Sequence, residues 1–155
     1  MKAPLGLVGT VLAVLLMLSA CGEAGPPAAS RPAASGADDG ASELVARGKE
    51  IFAGKGICLT CHNGSARYPD VTTMAANAGT RVEGLDDVEY LVQSLYQPDA
   101  FITPGFSPGM PIATQPPMSL SPEEVTAVIA YLQSFGGSPT VTLERVLAAV
   151  PDDQS

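Results

Sequence analysis

Two cysteines and a histidine lie close together in the segment Cys58-Leu59-Thr60-Cys61-His62. Thiols at this spacing can form thioether bonds to the two vinyl groups of one porphyrin, and the imidazole that follows is then placed to bind the iron. The spacing therefore predicts that Cys58 and Cys61 attach one haem c covalently, with His62 as an iron ligand. Covalent attachment would also retain the cofactor in a small protein with long loops.

Other chemistries for the same residues fit less well. A structural zinc site needs four ligands, usually Cys or His, but the chain has three cysteines and one histidine, and Cys21 lies 37 positions before Cys58. A redox-active Cys-x-x-Cys pair is expected in a βαβ context, which the surrounding helical and proline-rich pattern does not resemble. A disulfide between Cys58 and Cys61 would leave His62 without a role. Haem attachment is therefore favoured.

His62 is the single histidine of the 155-residue chain, so a second axial histidine is excluded. The sixth iron ligand must be a methionine, a weaker ligand or nothing. Met1 and Met17 lie in the N-terminal leader, and Met74 follows His62 too closely to favour a place on the opposite side of the iron. Met110 and Met118 remain as candidates.

Three main helices are predicted. The first begins at Ser42, a capping residue, and continues to about Ala53, with apolar residues at helical spacing. The second begins after Asp86, with Glu89 completing a capping box, and ends before Pro98. The third begins after Ser121 and ends before Gly136, and a further short helix is predicted over residues 143–149.

Loops separate these helices. A loop is predicted from the haem motif to about Gly84, and six prolines in residues 98–119 exclude a helix or a central strand there. The fold class is therefore all-α. Such a thin core of short helices and long loops suits a domain that is completed by a large apolar cofactor.

The acidic composition limits the function classes. The formal net charge is −8 and the isoelectric point about 4.4. Nucleic-acid binding is not expected, because it depends on neutralising phosphates with Lys and Arg. The charge is uneven, since residues 47–81 have five basic side chains against two acidic, and residues 82–99 have five acidic and none basic. This is either a solvated surface without function or a dipole that steers an acidic patch of a redox partner towards the haem side.

Residues 42–137 resemble a small class I cytochrome c with one haem. The likeness rests on Gly48-x-x-x-Phe52 before the haem motif and on Glu124-Val125-x-x-Val128-Ile129-Ala130-Tyr131-Leu132 near the end. It implies that the first and last helices cross where Gly48 meets Tyr131. It also implies an electron carrier with redox partner proteins rather than an enzyme with a small-molecule substrate.

Two site residues follow from the resemblance. The distal methionine of that family usually stands in a Met-Pro pair before the last helix, which Met110-Pro111 matches. Pro111 also restricts Met110 to extended backbone, as suits a fixed ligand. Met118, three residues before the Ser121 cap, is expected instead to pack against the haem or the core. The carbonyl of Pro69 is the expected acceptor for the Nδ1–H group of His62, which would orient the imidazole.

The N-terminus has the pattern of an exported lipoprotein. Lys2 precedes an apolar stretch of 14 residues, Leu5–Leu18, which is short for a membrane span. Leu18-Ser19-Ala20-Cys21 resembles a bacterial lipobox, so residues 1–20 are predicted to be a signal peptide and Cys21 to be lipidated. Residues 21–41, rich in Ala, Gly, Pro and Ser, are predicted to be a flexible tether. A tail is predicted over residues 138–155.

The sequence thus predicts a haem c protein that transfers electrons, anchored by lipid to the outer face of a bacterial membrane, on the periplasmic or extracytoplasmic side. It would be either a tethered shuttle or a subunit of a respiratory or photosynthetic complex. The alternative is a haem sensor or catalyst with an open distal site. That alternative expects five-coordinate iron, whereas the carrier expects iron bound by His62 and Met110.

Overall fold

A computed structural model describes residues 35–152. Within that range the chain has five α-helices and two short 3₁₀ turns and no strand: α1 is Ser35–Ala53, α2 Val71–Ala76, α3 Asp87–Tyr96, α4 Pro122–Gln133 and α5 Leu143–Ala149, and the 3₁₀ turns are Cys58–Thr60 and Ala78–Thr80. The all-α class is confirmed. None of the helices in this part of the chain is both long and apolar enough to cross a membrane. The predicted signal peptide, Cys21 and residues 21–34 of the predicted tether lie outside the described residues.

Helices α1 and α4 pack against each other and form the centre of the fold. At their crossing Gly48 is buried, and a Cβ atom there would overlap the backbone of Ala127 and lie 2.9 Å from the Cβ atom of Tyr131. One turn further along α1, the ring of Phe52 meets that of Tyr131 edge to face at 5.5 Å between centroids. The predicted meeting of Gly48 and Tyr131 is confirmed, and it requires the absence of a side chain on α1.

The capping residues determine where α3 and α4 begin. The Asp86 carboxylate accepts hydrogen bonds from the backbone of Val88 and Glu89, and the Glu89 carboxylate accepts from the Asp86 N–H. Ser121 and Glu124 form the same reciprocal box at α4, with Pro122 in the first turn. Both predicted capping boxes are confirmed. The proline-rich residues 98–119 form no helix or strand, as expected.

Two predicted boundaries are wrong. Helix α1 begins at Ser35 rather than Ser42, so residues 35–41 of the predicted tether are helical. Extending an existing helix costs far less than nucleating a new one, so α1 does not have to begin at the capping residue Ser42. The predicted loop up to Gly84 contains α2 and the second 3₁₀ turn. The Asp70 carboxylate starts α2 by accepting from the Thr72 N–H.

The C-terminal helix α5 has the predicted extent and packs against α3 and α4. Gln133 is buried, and its amide bonds to Thr140 and to the carboxylate of Asp87, while its carbonyl accepts from the N–H groups of Thr140 and Val141. Val146 has no exposed surface, and Arg145 forms an ion pair of 2.5 Å with Asp86. These contacts hold α5 against the start of α3.

Candidate functional site

The haem motif forms a tight turn directly after α1. The N–H groups of Cys61 and His62 both donate to the Cys58 carbonyl, at 3.2 and 2.8 Å, which brings the two cysteines and the histidine onto one turn of backbone. Both thiols are free and partly buried. No disulfide joins Cys58 to Cys61, so both sulfur atoms are available for thioether bonds.

Burial of the Cys58 side chain raises the pKa of its thiol to about 11. The hydrogen bond to the cysteine's own backbone opposes this rise, and the neighbouring Cys61 adds to it. Among the described residues, no three His, Cys, Asp or Glu side chains are arranged to hold a metal ion.

The His62 ring is held from several sides. Its Nδ1 atom lies 3.1 Å from the carbonyl oxygen of Pro69, so the expected hydrogen bond is present. The rings of Phe52 and Tyr68 each lie 6.5 Å from the imidazole centroid. Since Nδ1–H donates to Pro69, the lone pair of Nε2 is left for a metal. The cap of α2 at Asp70, the next residue, fixes the position of the Pro69 carbonyl.

A cavity of about 500 Å³ lies beside the motif, a size usual for small-molecule and cofactor sites. Cys58, Cys61 and His62 line it together with Pro69, and the proline-rich loop contributes Met110, Pro111 and Met118. A second cavity of about 60 Å³ shares Cys58, His62 and Met110 with the first. Its other lining residues are mainly apolar side chains of the core: Phe52, Val71, Leu91, Leu95, Val128 and Leu132. The structure thus brings the motif and both candidate methionines to one apolar site.

The methionines differ in their surroundings. Met110 lines both cavities and is 37% exposed. Met118 lines only the larger cavity and belongs to the buried core, with 5% of its surface exposed. Met74 also lines both cavities, and the hydroxyl of Thr103 donates to its sulfur at 3.9 Å. Sequence reasoning missed this position of Met74 because it missed α2. The signal was present, since the Asp70 cap precedes apolar residues at helical spacing.

An arginine contact near the cavity was also missed. The Arg81 guanidinium donates to the Tyr90 hydroxyl at 2.9 Å and to the Thr103 hydroxyl at 3.1 Å, and it lies over the rings of Tyr90 and Phe101. Tyr90, Phe101 and Thr103 line the larger cavity. These residues come from separate segments, so no local pattern in the sequence could have indicated the contact. The arginine braces this wall of the cavity.

The residues present fit a haem. The site offers two free thiols for thioether bonds, an imidazole whose Nε2 atom is available, and an apolar cavity with methionine sulfur in its lining. Imidazole and thioether are the usual axial donors of cytochromes. A bound haem would complete the thin core that these short helices form.

Comparison with known families agrees with this geometry. The sequence model of the cytochrome c family, described as "Cytochrome c", matches residues 45–136, which is more than half of the chain. The chain therefore belongs to the cytochrome c family. It is a haem c protein of the kind that transfers electrons, and the predicted cofactor is confirmed. A comparison with curated protein sequences gives no match. The matched region ends before α5.

Proposed function

We propose that this protein is a class I, monohaem electron carrier in which Cys58 and Cys61 hold the haem and His62 and Met110 bind its iron. Bound haem supplies an iron that exchanges one electron between its ferric and ferrous states. The observation that carries the proposal is the hydrogen bond from His62 Nδ1 to the Pro69 carbonyl. It fixes the tautomer and the ring plane of an imidazole whose Nε2 atom is then free to bind iron.

Several features support Met110 rather than Met118 as the distal ligand. Met110 lines both cavities together with His62, whereas Met118 is packed in the core, and a core side chain would have to leave its contacts to reach a metal. The residue after Met110 is a proline, which restricts the backbone of Met110 to extended conformations. Met74 also lines both cavities, but it lies just after the Pro69 segment that contacts His62, and we propose that it forms part of the cavity wall and does not bind the iron.

The chain's own residues make a carrier a better proposal than a sensor or a catalyst. His62 is the single histidine of the sequence and is engaged with Pro69. Charged side chains lining the larger cavity are limited to Arg67 and Asp99. An acid–base catalyst needs a titratable group within hydrogen-bond reach of its substrate. In the lining of this cavity Asp99 is the one carboxylate, with no histidine beside it other than His62. Histidine and methionine ligation also favours a relatively high reduction potential, as suits a carrier.

The experiment that tests the carrier proposal measures haem attachment and redox behaviour together. The haem should stay with the wild-type polypeptide through denaturing electrophoresis and be lost from the double variant Cys58→Ala/Cys61→Ala. The wild type should give a single reversible one-electron wave. Extraction of the haem from wild type by acidified acetone would contradict covalent attachment, and a five-coordinate ferric spectrum would favour the sensor.

We also propose that Cys21 is lipidated after removal of residues 1–20, so that the domain is anchored at the outer face of a bacterial membrane. The lipobox-like sequence supports this. Mass spectrometry of the mature N-terminal peptide should show an acylated Cys21, and Cys21→Ala should move the protein from the membrane fraction to the soluble fraction. An unmodified Cys21 would contradict the proposal of a lipid anchor. Co-purification with a membrane complex in mild detergent would separate a complex subunit from a free shuttle.

A further inference from the structure

Asn63 and Asn77 are the two asparagines of the chain, and both are exposed. Asparagine is a thermolabile residue, and proteins of hyperthermophiles contain less of it. Its side-chain amide is lost when the backbone nitrogen of the following residue attacks the amide carbon. The rate of this reaction therefore depends on which residue follows the asparagine and on how the side chain is held. Both conditions differ between the two positions.

Gly64, the residue after Asn63, leaves its backbone nitrogen accessible. It has a φ of +85° and no Cβ atom to shield that nitrogen, and a Cβ atom built there would meet nothing within 4 Å. Within residues 35–152, no protein group accepts a hydrogen bond from the Gly64 N–H. Residues 63–65 are exposed and line neither cavity, so their exposure does not depend on what fills the cavities.

The Asn63 side chain is turned towards the backbone that follows it. Its Oδ1 atom accepts from the Ser65 N–H at 3.1 Å, which forms an Asx turn. The hydrogen-bonded ring of this turn contains both the amide carbon of Asn63 and the Gly64 nitrogen, so the two reacting atoms are held in one small ring. The Ser65 N–H also donates to the oxygen on which negative charge would develop during attack, and such a donor stabilises the transition state.

The Asn77 side chain is held in a different way. Its amide nitrogen donates to the Thr73 carbonyl at 2.8 Å, which directs the amide back towards α2. The next residue, Ala78, has a methyl group and is only 2% exposed, so its backbone has little freedom to approach the amide. Asn77 is therefore an internal control, an exposed asparagine that lacks the arrangement found at Asn63.

A chemical change at Asn63 would act on the proposed iron ligand, because the next residue towards the N-terminus is His62. A carboxylate at position 63 adds a negative charge there, which favours ferric over ferrous iron. Residues 63–69 also connect His62 to the Pro69 carbonyl, which lies 3.1 Å from Nδ1. An isoaspartate at position 63 would lengthen this connection by one backbone atom.

We propose that Asn63 is a modification site at which the side-chain amide is hydrolysed, and that the modified carrier has a lower reduction potential. This inference rests on the proposed electron-carrier function. The Gly64 nitrogen forms a bond to Cγ of Asn63, the bond from Cγ to Nδ2 breaks, and ammonia leaves with the proton of the Gly64 N–H. Water then opens the resulting five-membered imide, at Cγ to give aspartate or at the backbone carbonyl to give isoaspartate.

The test incubates the haem-loaded full chain at neutral pH and follows both asparagines by mass spectrometry. Trypsin separates them, because residues 56–67 contain Asn63 and residues 68–81 contain Asn77. Asn63 should change from the mass of an amide to that of an acid. Since a misplaced nucleophile costs about a hundredfold in rate, Asn77 should react roughly 100-fold more slowly. Equal rates at the two positions, or an unchanged Asn63, would overturn the proposal.

Voltammetry measures the consequence for the haem. Asn63→Asp should have a lower reduction potential than wild type, and Asn77→Asp, which adds the same charge beyond α2, should lower it less. Asn63→Gln keeps an amide but cannot form the five-membered ring, so its potential should stay constant during incubation. A potential of Asn63→Gln that falls as far as that of wild type would overturn the proposal, because the fall would then have another cause.

Incubated wild type gives the same measurement without a substitution. Ion exchange separates the modified form, which has one more negative charge, from the unmodified form, and the modified form should have the lower potential. Equal potentials of the two forms would overturn the proposal even if a variant at position 63 failed to bind haem. Absence of covalent haem from wild type would defeat the carrier function itself, whereas attached haem with an unreacted Asn63 would defeat only this inference.

Discussion

The Nδ1 atom of His62 lies 3.1 Å from the carbonyl oxygen of Pro69, seven residues further along the chain. The bond links the haem motif to the start of α2, because Asp70, next to Pro69, caps that helix. A backbone carbonyl that accepts from an iron-binding imidazole makes the imidazole more electron-rich. The link therefore influences both the orientation of the ligand and the affinity of the iron for an electron.

Pro69→Ala retains this carbonyl but releases the backbone restriction that positions it. We expect the hydrogen bond to weaken and the reduction potential of the haem to rise by ~30 mV, since a less basic imidazole favours the ferric state less. Potentiometric titration measures this shift. The control is Pro104→Ala, at an exposed position that lines neither cavity. Both variants should lose about 0.4–1 kcal/mol of stability through the unfolded chain. An equal shift of potential in both would contradict a specific role for Pro69.

Gly48 and Gly40 are two glycines of α1 with opposite surroundings. A methyl group at Gly48 would overlap the backbone of Ala127 in α4, whereas one at Gly40 meets nothing within 4 Å. Gly48→Ala should therefore lower the free energy of unfolding by ~3 kcal/mol, because backbone cannot move aside easily. Gly40→Ala should raise it by about 0.5–1 kcal/mol, the usual gain from alanine inside a helix. Urea titrations of both variants measure this, and a change of the same sign in both would reject the crossing.

The sequence was most informative where side chains act locally. Asp86 and Ser121 each start a helix through their own hydrogen bonds, so α3 and α4 could be located closely before any tertiary contact was known. The haem motif is also local. The start of α1 was missed because an existing helix can lengthen beyond its capping residue, and α2 was missed because its signal, the Asp70 cap and apolar residues at helical spacing, extends over only six residues.

The site depends more on tertiary structure than the helices do. Met74 reaches the cavity only because α2 forms, and Arg81 meets Tyr90 and Thr103 from separate segments. The fold also changes how many of the charges counted in the sequence are free. Lys55 is paired with Glu124, and Arg81 is engaged with uncharged groups, so fewer free cations remain to steer a partner than the residue count suggested. Pairing across the fold cannot be read from composition.

Glu124 connects the haem turn to α4 and should give the fold an acid-sensitive contribution. Its carboxylate accepts from Lys55 at 2.6 Å and from the Ser121 N–H at 2.9 Å, and these bonds hold its pKa below the ordinary value of 4.5. A lowered pKa means that the stabilisation is present above about pH 4.5 and is lost as the pH falls below it. Because the pair is partly exposed, its contribution is only about 0.2–1 kcal/mol.

Glu124→Gln tests this contribution. At pH 7 the variant should unfold with a free energy lower by that amount, and the difference from wild type should shrink as the pH falls below about 4.5. Denaturant titrations over a pH series measure it. The exposed Glu83→Gln changes the net charge equally and serves as the control. A difference that stays constant down to acid pH would show that the carboxylate charge does not stabilise the fold.

Replacement of the methionines separates ligation from packing. Met110→Ala should abolish the sulfur-to-iron charge-transfer band of the ferric protein and lower its reduction potential, because a methionine ligand raises that potential. Met118→Ala should keep the band but cost about 2–5 kcal/mol of stability, since Met118 is only 5% exposed and its removal leaves a cavity in the core. Met74→Ala should also keep the band. If the band disappears in Met118→Ala and persists in Met110→Ala, the two roles are reversed. Its absence from wild type would mean that no methionine binds the iron, as the sensor alternative requires.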